Sequence, residues 1–500
     1  MKDEGSKRPP ASDESAPKKN EASPPRPPPA ELRAETRHRA RIAGKDLEYT
    51  ATAGSIFLRD DEGEPRAEIF YVAYTVAGAP ESRPVTFCFN GGPGSSSVWL
   101  HLGMMGPKRA AFPDPHHPPP PPYRLEDNEG SVLDVTDLVF IDPVGTGLSR
   151  VLGKDVKPEQ YHSVAGDVES CGEFIRLWIT RERRWNSPKM LCGESYGGTR
   201  VAGLAPHLSD RGIMLNGVIF VSAALDFSHL DFVTGNDLPY VLFLPSYAAT
   251  AAYHRALPEK PRDLDAFLVE AREFAIREYA PALLRGHALP EEDRKRIVGE
   301  LSRFTGISRE LLERWELRID QGRFSKELLR TRGVTVGRLD ARFVGHDVDR
   351  GAADLGSDPS FSAPHGPYAV LLNDYLRREL GVSEERAYQV LNFKVNESWK
   401  WDLPKGRPFG YVTQLSDLRR AMLENPHLRI FFANGLYDLA TPFFSNEHCA
   451  RHLGSEAHVR SNVREATYPA GHMMYLHDDS RRCLREDLVE LYRDACGGAR

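Results

Sequence analysis

The sequence has no apolar run near the roughly 18 to 20 residues that a membrane-spanning helix needs, and its first 30 residues hold no apolar stretch of signal-peptide type. As written, the chain is expected to enter neither membrane nor secretory route, so it is either cytoplasmic or begins downstream of a leader. Cysteine is scarce, and the six present (Cys88, Cys171, Cys192, Cys449, Cys483 and Cys496) include no CxxC pair and no His/Cys cluster of metal-ligand spacing. They read as free thiols, and no metal is expected. Excess charge of one sign is also missing: 65 Lys and Arg face 71 Asp and Glu, a net −6 without a dominant block. The electrostatic footprint of a nucleic-acid binder is therefore absent.

What is present is the balance of a globular chain, 40% hydrophobic and 27% charged, long enough for two to four domains or one large domain with an insertion. Residues 1–40, rich in Pro, Ser, Lys and Glu, cannot bury enough surface to offset ordering entropy and read as a disordered tail. A polyproline ligand for a partner's aromatic groove is the alternative there. A second proline-rich stretch, Pro113, Pro115 and Pro118 to Pro122, reads as a stiff surface spacer. No internal repeat is found, and nothing fixes an oligomeric state.

Between residues 41 and 235, short β-rich runs alternate with helical ones, which predicts βαβ units and a mainly parallel sheet. Val85 to Phe89, Leu138 to Ile141, Met190 to Cys192 and Val218 to Val221 are apolar runs of strand length, while Val164, Val168, Cys171, Phe174, Ile175 and Trp178 recur at helical spacing. From 236 to 425 the texture becomes helical and charged, with Asp263 a candidate cap for a helix bearing Leu264, Phe267, Leu268, Ala271, Phe274 and Ala275. This segment reads as a helical cap insertion. The sheet resumes in 426–500, with strands at Leu428 to Ala433 and Val463 to Tyr468.

The sharpest chemical signal is Gly193-Glu194-Ser195-Tyr196-Gly197, a G-x-S-x-G set between an apolar strand and a helical run. A serine hydroxyl is a weak nucleophile unless it is held against a base, and a strand-turn-helix corner thrusts it out at the top of a sheet. The bland alternative is a glycine-rich turn whose serine caps the helix. Asn90-Gly91-Gly92-Pro93-Gly94-Ser95-Ser96-Ser97 follows an earlier strand, where a loop lending backbone N–H groups to an oxyanion belongs. A phosphate cradle fits less well, because no Gly-Lys-Ser/Thr follows and the glycines lack dinucleotide-loop spacing. A base and its orienter then come from later strand ends: Asp438 after LRIFFA, and His472 after the last strand. Asp142 and Asp226 compete for the acid and His448 for the base, but none fits chain order and strand end as well.

Taken together, NGGPGSSS, IDPVGTGLS (Ile141 to Ser149), GESYGG, NGLYDLATP (Asn434 to Pro442) and AGHMMY (Ala470 to Tyr475) resemble the serine carboxypeptidase family, most closely its bacterial members, over residues 50 to 490. The resemblance implies an α/β-hydrolase fold with a helical cap and no metal or organic cofactor. It implies Ser195 as nucleophile, His472 as base, Asp438 as its orienter, and the N–H groups of Gly92 and Tyr196 as oxyanion hole. It further implies Asn90 and Glu194 as the grip on a substrate's terminal carboxylate, and Met473 as lining for the departing residue. The sequence departs from the family at Cys88, where many members have Trp, and at Ser95, where they have Cys, which removes a disulfide partner. The expectation is a serine-type carboxypeptidase acting on peptides with a free C-terminus through an acyl-enzyme, its peptide binding weakening as rising pH ionises Glu194. An esterase or acyltransferase on the same scaffold, or a non-catalytic binding protein, are the alternatives.

Overall fold

In the computed structural model, which describes residues 30–112, 117, 119–349, 351–352, 356–403 and 409–497, side-chain alternation in the strand runs builds a ten-stranded sheet. Its strands are β1 (Arg33–Ile42), β2 (Lys45–Arg59), β3 (Pro65–Val76), β4 (Val85–Phe89), β5 (Asp137–Ile141), β6 (Arg150–Val151), β7 (Lys189–Glu194), β8 (Gly217–Val221), β9 (Arg429–Gly435) and β10 (Val463–Tyr468). Across the sheet the order is β1-β2-β3-β5-β4-β7-β8-β9-β10, with β6 paired to β3. The β1–β3 pairings and the β3–β5 pairing are antiparallel, and every pairing from β5 to β10 is parallel. The sheet is thus mainly parallel, as its apolar runs predict.

Period two divides each strand between two cores. Val85, Phe87, Phe89, Leu191, Val218 and Phe220 face α1 (Val164–Arg181) and α2 (Tyr196–Ser209), where Phe174 and Trp178 are buried. Cys88, Met190, Cys192, Ile219 and Val221 face the opposite side. Ser163 caps α1 by accepting from Gly166 N at 3.1 Å. Because β4, β7, β8, β9 and β10 all run parallel, their carboxyl ends share one edge, and the loops after them meet there.

The insertion has a core of its own. Helices α3 (Leu238–Tyr253), α4 (Leu264–Phe274) and α5 (Glu291–Thr305) bury Phe243, Phe267, Leu301 and Phe304 together. Asp263 caps α4, its Oδ1 accepting from Ala266 N at 3.1 Å. The same core takes in Tyr437 and Leu439, the neighbours of Asp438.

Two expected boundaries move. The tail drawn to residue 40 ends earlier, because Arg33–Ile42 pairs along its whole length with β2. Its inward set is Ala34, Thr36, His38, Ala40 and Ile42, mostly small or polar side chains that carry almost no apolar signal. Residues 1–29 of the expected tail, and Pro113, Pro115 and Pro118, lie outside the described residues. The cap drawn from 236 to 425 includes α6 (Pro359–Arg378), whose Tyr368, Leu372 and Tyr375 join the core of the sheet. It also includes α7 (Leu415–Glu424), whose Leu418, Ala421 and Met422 pack beside α2. An amphipathic stripe reads the same whichever core it faces.

Candidate active site

β7 ends at Glu194, α2 begins at Tyr196, and Ser195 forms the corner between them at φ 59°, ψ −126°. A left-handed φ is costly for a side chain other than glycine and persists only where the surroundings impose it. Here Gly197 permits the fold-back, since a Cβ on it would stand 2.6 Å from Phe89 O. Ser195 makes no side-chain cap on α2, so the reading of it as a helix cap does not hold. Its side chain lines a cavity of about 270 Å³ together with Asn90, Gly92, Glu194, His472 and Met473.

On the far side of that cavity, His472 Nδ1 lies 2.7 Å from Asp438 Oδ2. Asp438 is fully buried. Its Oδ1 accepts from the N–H groups of Ala440 (2.7 Å) and Thr441 (3.0 Å), and its Oδ2 from the Thr441 hydroxyl (2.8 Å). These donors fix the face that the carboxylate turns toward the imidazole. Burial pushes the His472 pKa down, but the charge and hydrogen bond of Asp438 and the charge of Glu194 outweigh it, leaving it above the ordinary imidazole value. The arrangement orients Nε2 as a base toward the cavity that Ser195 also lines. Replacing Asp438 by Asn is expected to keep the hydrogen-bonded geometry, present the wrong tautomer, and lower kcat by roughly 10⁴-fold, read in steady-state assays. The competing groups lie elsewhere. Asp142 Oδ1 accepts from Ser97 N at 2.9 Å, Asp226 Oδ1 accepts from Ser228 N at 2.9 Å, and the His448 ring packs 4.8 Å from that of His229.

The Asn90–Ser97 loop lies directly against this corner. A Cβ on Gly91 would stand 2.5 Å from Tyr196 N, an approach only glycine allows. Tyr196 is the first residue of α2, so its N–H has no intrahelical acceptor and faces the same space as the Gly91–Gly92 backbone. Gly91, the neighbour of the expected donor Gly92, thus abuts the N–H of the other expected donor, Tyr196.

Asn90 and Glu194 also meet, from the ends of adjacent strands β4 and β7. Asn90 Oδ1 accepts from Leu100 N at 3.0 Å, and its Nδ2 is buried beside the Glu194 carboxyl without a hydrogen-bond partner of good geometry. Glu194 is 3% exposed and its Oε2 accepts from the Tyr475 hydroxyl at 2.8 Å. Burial drives its pKa up to about 7, against the opposing influence of His472, Tyr475 and the Asn90 amide beside it. At neutral pH and below the group holds a proton that it can donate. Cys88, where the family resemblance departs, is buried in the core of the sheet against Met105.

Several supporting residues carry no sequence signal. Arg200, 1% exposed, reaches Asp167 Oδ2 at 2.8 Å and Asn90 O at 2.7 Å, tying α1 and α2 to the oxyanion loop. Asn392 N donates to Gly94 O (2.8 Å), its Nδ2 to Gly145 O (2.9 Å), and Asn396 Nδ2 to Pro93 O (3.2 Å), so residues 390–396 strap that loop down. Leu339 O accepts from His472 N at 2.6 Å, and Asp340 Oδ2 from Gly471 N at 3.1 Å. None of these contacts follows from spacing along the chain; Arg200 reads as a surface residue until the fold buries it.

Residues 49–222 match the serine carboxypeptidase family. That stretch holds NGGPGSSS and GESYGG, while Asp438 and His472 lie beyond it. Among curated proteins, the chain is 29% identical over 150 residues to the pheromone-processing carboxypeptidase KEX1 of Colletotrichum graminicola, covering 30% of this chain and 22% of that one. It is 28% identical over 177 residues to serine carboxypeptidase-like 26 of Oryza sativa subsp. japonica, covering 34% of each. The chain therefore spans about a fifth to a third of the length of these curated relatives. In three dimensions it is similar to the crystal structure of Kex1(delta)p, a prohormone-processing carboxypeptidase from Saccharomyces cerevisiae, with a TM-score of 0.54 and 17% identity over 90% of this chain and 91% of that one. The shared fold is that of the α/β-hydrolases.

Proposed function

We propose, for a chain whose residues 49–222 match the serine carboxypeptidase family and whose fold is that of the α/β-hydrolases, that it removes single residues from peptide C-termini by acyl transfer. The peptide enters with its terminal carboxylate between Asn90 Nδ2 and the protonated Glu194. Ser195 Oγ attacks the last peptide carbonyl while His472 takes its proton, and the oxyanion forms against the N–H groups of Gly92 and Tyr196. His472, paired to Asp438, then gives the proton to the departing amino acid's nitrogen, leaving an ester on Ser195. Water, activated by the same imidazole, hydrolyses the ester and restores the serine.

The observation that carries this reading is the buried Asn90–Glu194 pair beside Ser195, with one amide donor unpartnered and one carboxyl holding a proton near neutral pH. An esterase has no use for a carboxylate grip, whereas an exopeptidase depends on one. Mass spectrometry of a peptide ladder checks it: sequential loss from the free acid and none from the C-terminally amidated peptide is the expected result. Equal trimming of both forms, or cleavage inside the chain, would sink the reading.

A further inference from the structure

Resting on that reading, the structure also bears on which residue leaves. Arg338 lines the cavity from the insertion, exposed, and its guanidinium makes no ion pair or hydrogen bond with another described residue. Its backbone is pinned on both sides. Arg338 N donates to Asp358 Oδ1 at 3.1 Å, its O accepts from Leu439 N at 3.0 Å, and the next residue, Leu339, accepts from His472 N. The backbone of Arg338 is thus anchored at the rim, and its charge is close enough to oppose protonation of His472.

Contacts around the cavity show which substrate residue it faces. Asn90 Oδ1 holds Leu100 N, so the grip on the terminal carboxylate adjoins Trp99. The Trp99 ring lies 6.3 Å from that of Phe361, and the residue before Phe361, Ser360, accepts Leu339 N on its Oγ at 2.9 Å. The cavity lining therefore leads from the carboxylate grip through Trp99 and Phe361 to Leu339 and Arg338, and includes Met473. His472 protonates the leaving nitrogen, so groups packed on its backbone lie on the leaving side. The walls are apolar and fit methylenes; the rim ends in a cation.

We infer that Arg338 selects a departing residue with a carboxylate side chain, Glu or Asp. The test is a set of peptides identical except for a last residue of Glu, Gln, Leu or Lys, with kcat/KM taken as ratios that do not depend on the fraction of active enzyme. The expected order places Glu above Gln by on the order of tenfold and Lys last. Arg338→Gln brings the Glu/Gln ratio close to one, Arg338→Lys retains part of it, and Arg338→Glu reverses the order of Glu and Lys. A Glu/Gln ratio unchanged in Arg338→Gln, or selectivity confined to the penultimate residue, overturns the inference. If no peptide of the set is trimmed, Leu included, the carboxypeptidase reading fails and takes this inference with it; trimming that ignores charge refutes Arg338 alone.

Discussion

Ser195→Ala is expected to abolish peptide trimming, lowering kcat by roughly 10⁴ to 10⁶-fold, with the residue of activity coming from the oxyanion donors and binding alone. A fluorophosphonate probe should label the native chain and not the variant. The size of the effect follows from how the corner is built. Ser195 sits in a left-handed conformation that aims its hydroxyl into the cavity, and no nearby hydroxyl replaces it there, since Ser95 Oγ is engaged by Ser96 O and Trp99 Nε1 and Ser97 Oγ by Cys88 O. Trimming that survives at native rate would place the chemistry elsewhere. Labelling without trimming of any peptide would leave the triad standing and remove the peptide as substrate.

The second large effect concerns Glu194 and pH. Burial holds its carboxyl neutral until about pH 7, so it donates to the substrate's terminal carboxylate below that value. Above it, two like charges face each other and the donor is gone. KM for a free-acid peptide is therefore expected to climb as pH rises through about 7. The groups around Glu194 set the details: His472 and Tyr475 favour ionisation, Asp438 opposes it, and Asn90 supplies the second donor. Glu194→Gln keeps an N–H donor at every pH and should flatten the alkaline climb of KM. Glu194→Ala should raise KM at low pH by about 10- to 100-fold, the loss of one hydrogen bond to a charged group of about 1.5 to 3 kcal/mol.

On the acid side the sign reverses. His472 must be neutral to accept the serine proton, and its pKa stands above the ordinary imidazole value partly through the charge of Glu194. Rate should fall as pH drops through that range. A pH profile of kcat and KM for both enzymes reads both limbs. A KM that stays level through pH 7 in the native enzyme would show that Glu194 does not hold the substrate's carboxylate.

The chain's own order announced much of this architecture. Val85 to Phe89 and Val463 to Tyr468 are strands with the expected bounds, and the apolar stripe ending in Trp178 is the buried face of α1. Val85 to Phe89 is legible because a parallel strand buried on both faces is largely apolar, and the stripe because a surface helix concentrates its apolar residues on one face. β1 was not legible, because its inward side chains are small or polar and its pairing with β2 supplies what hydrophobicity does not. The helices α6 and α7 were legible as helices but not as parts of the sheet's own core.

The same division runs through the site. The sequence by itself determined the residue types and their order: a serine at a glycine-flanked corner, a glycine-rich loop after an earlier strand, an acid and a histidine after the last two. Local chemistry dictates these, since a corner that tight tolerates only glycine beside it. Only the tertiary structure decided that Asp438 meets His472, that Glu194 is buried deeply enough to keep its proton, and that residues 338–340 of the insertion are bonded to the loops bearing both triad partners. Burial and proximity between residues far apart in the chain are properties of packing, and no spacing along the chain encodes them.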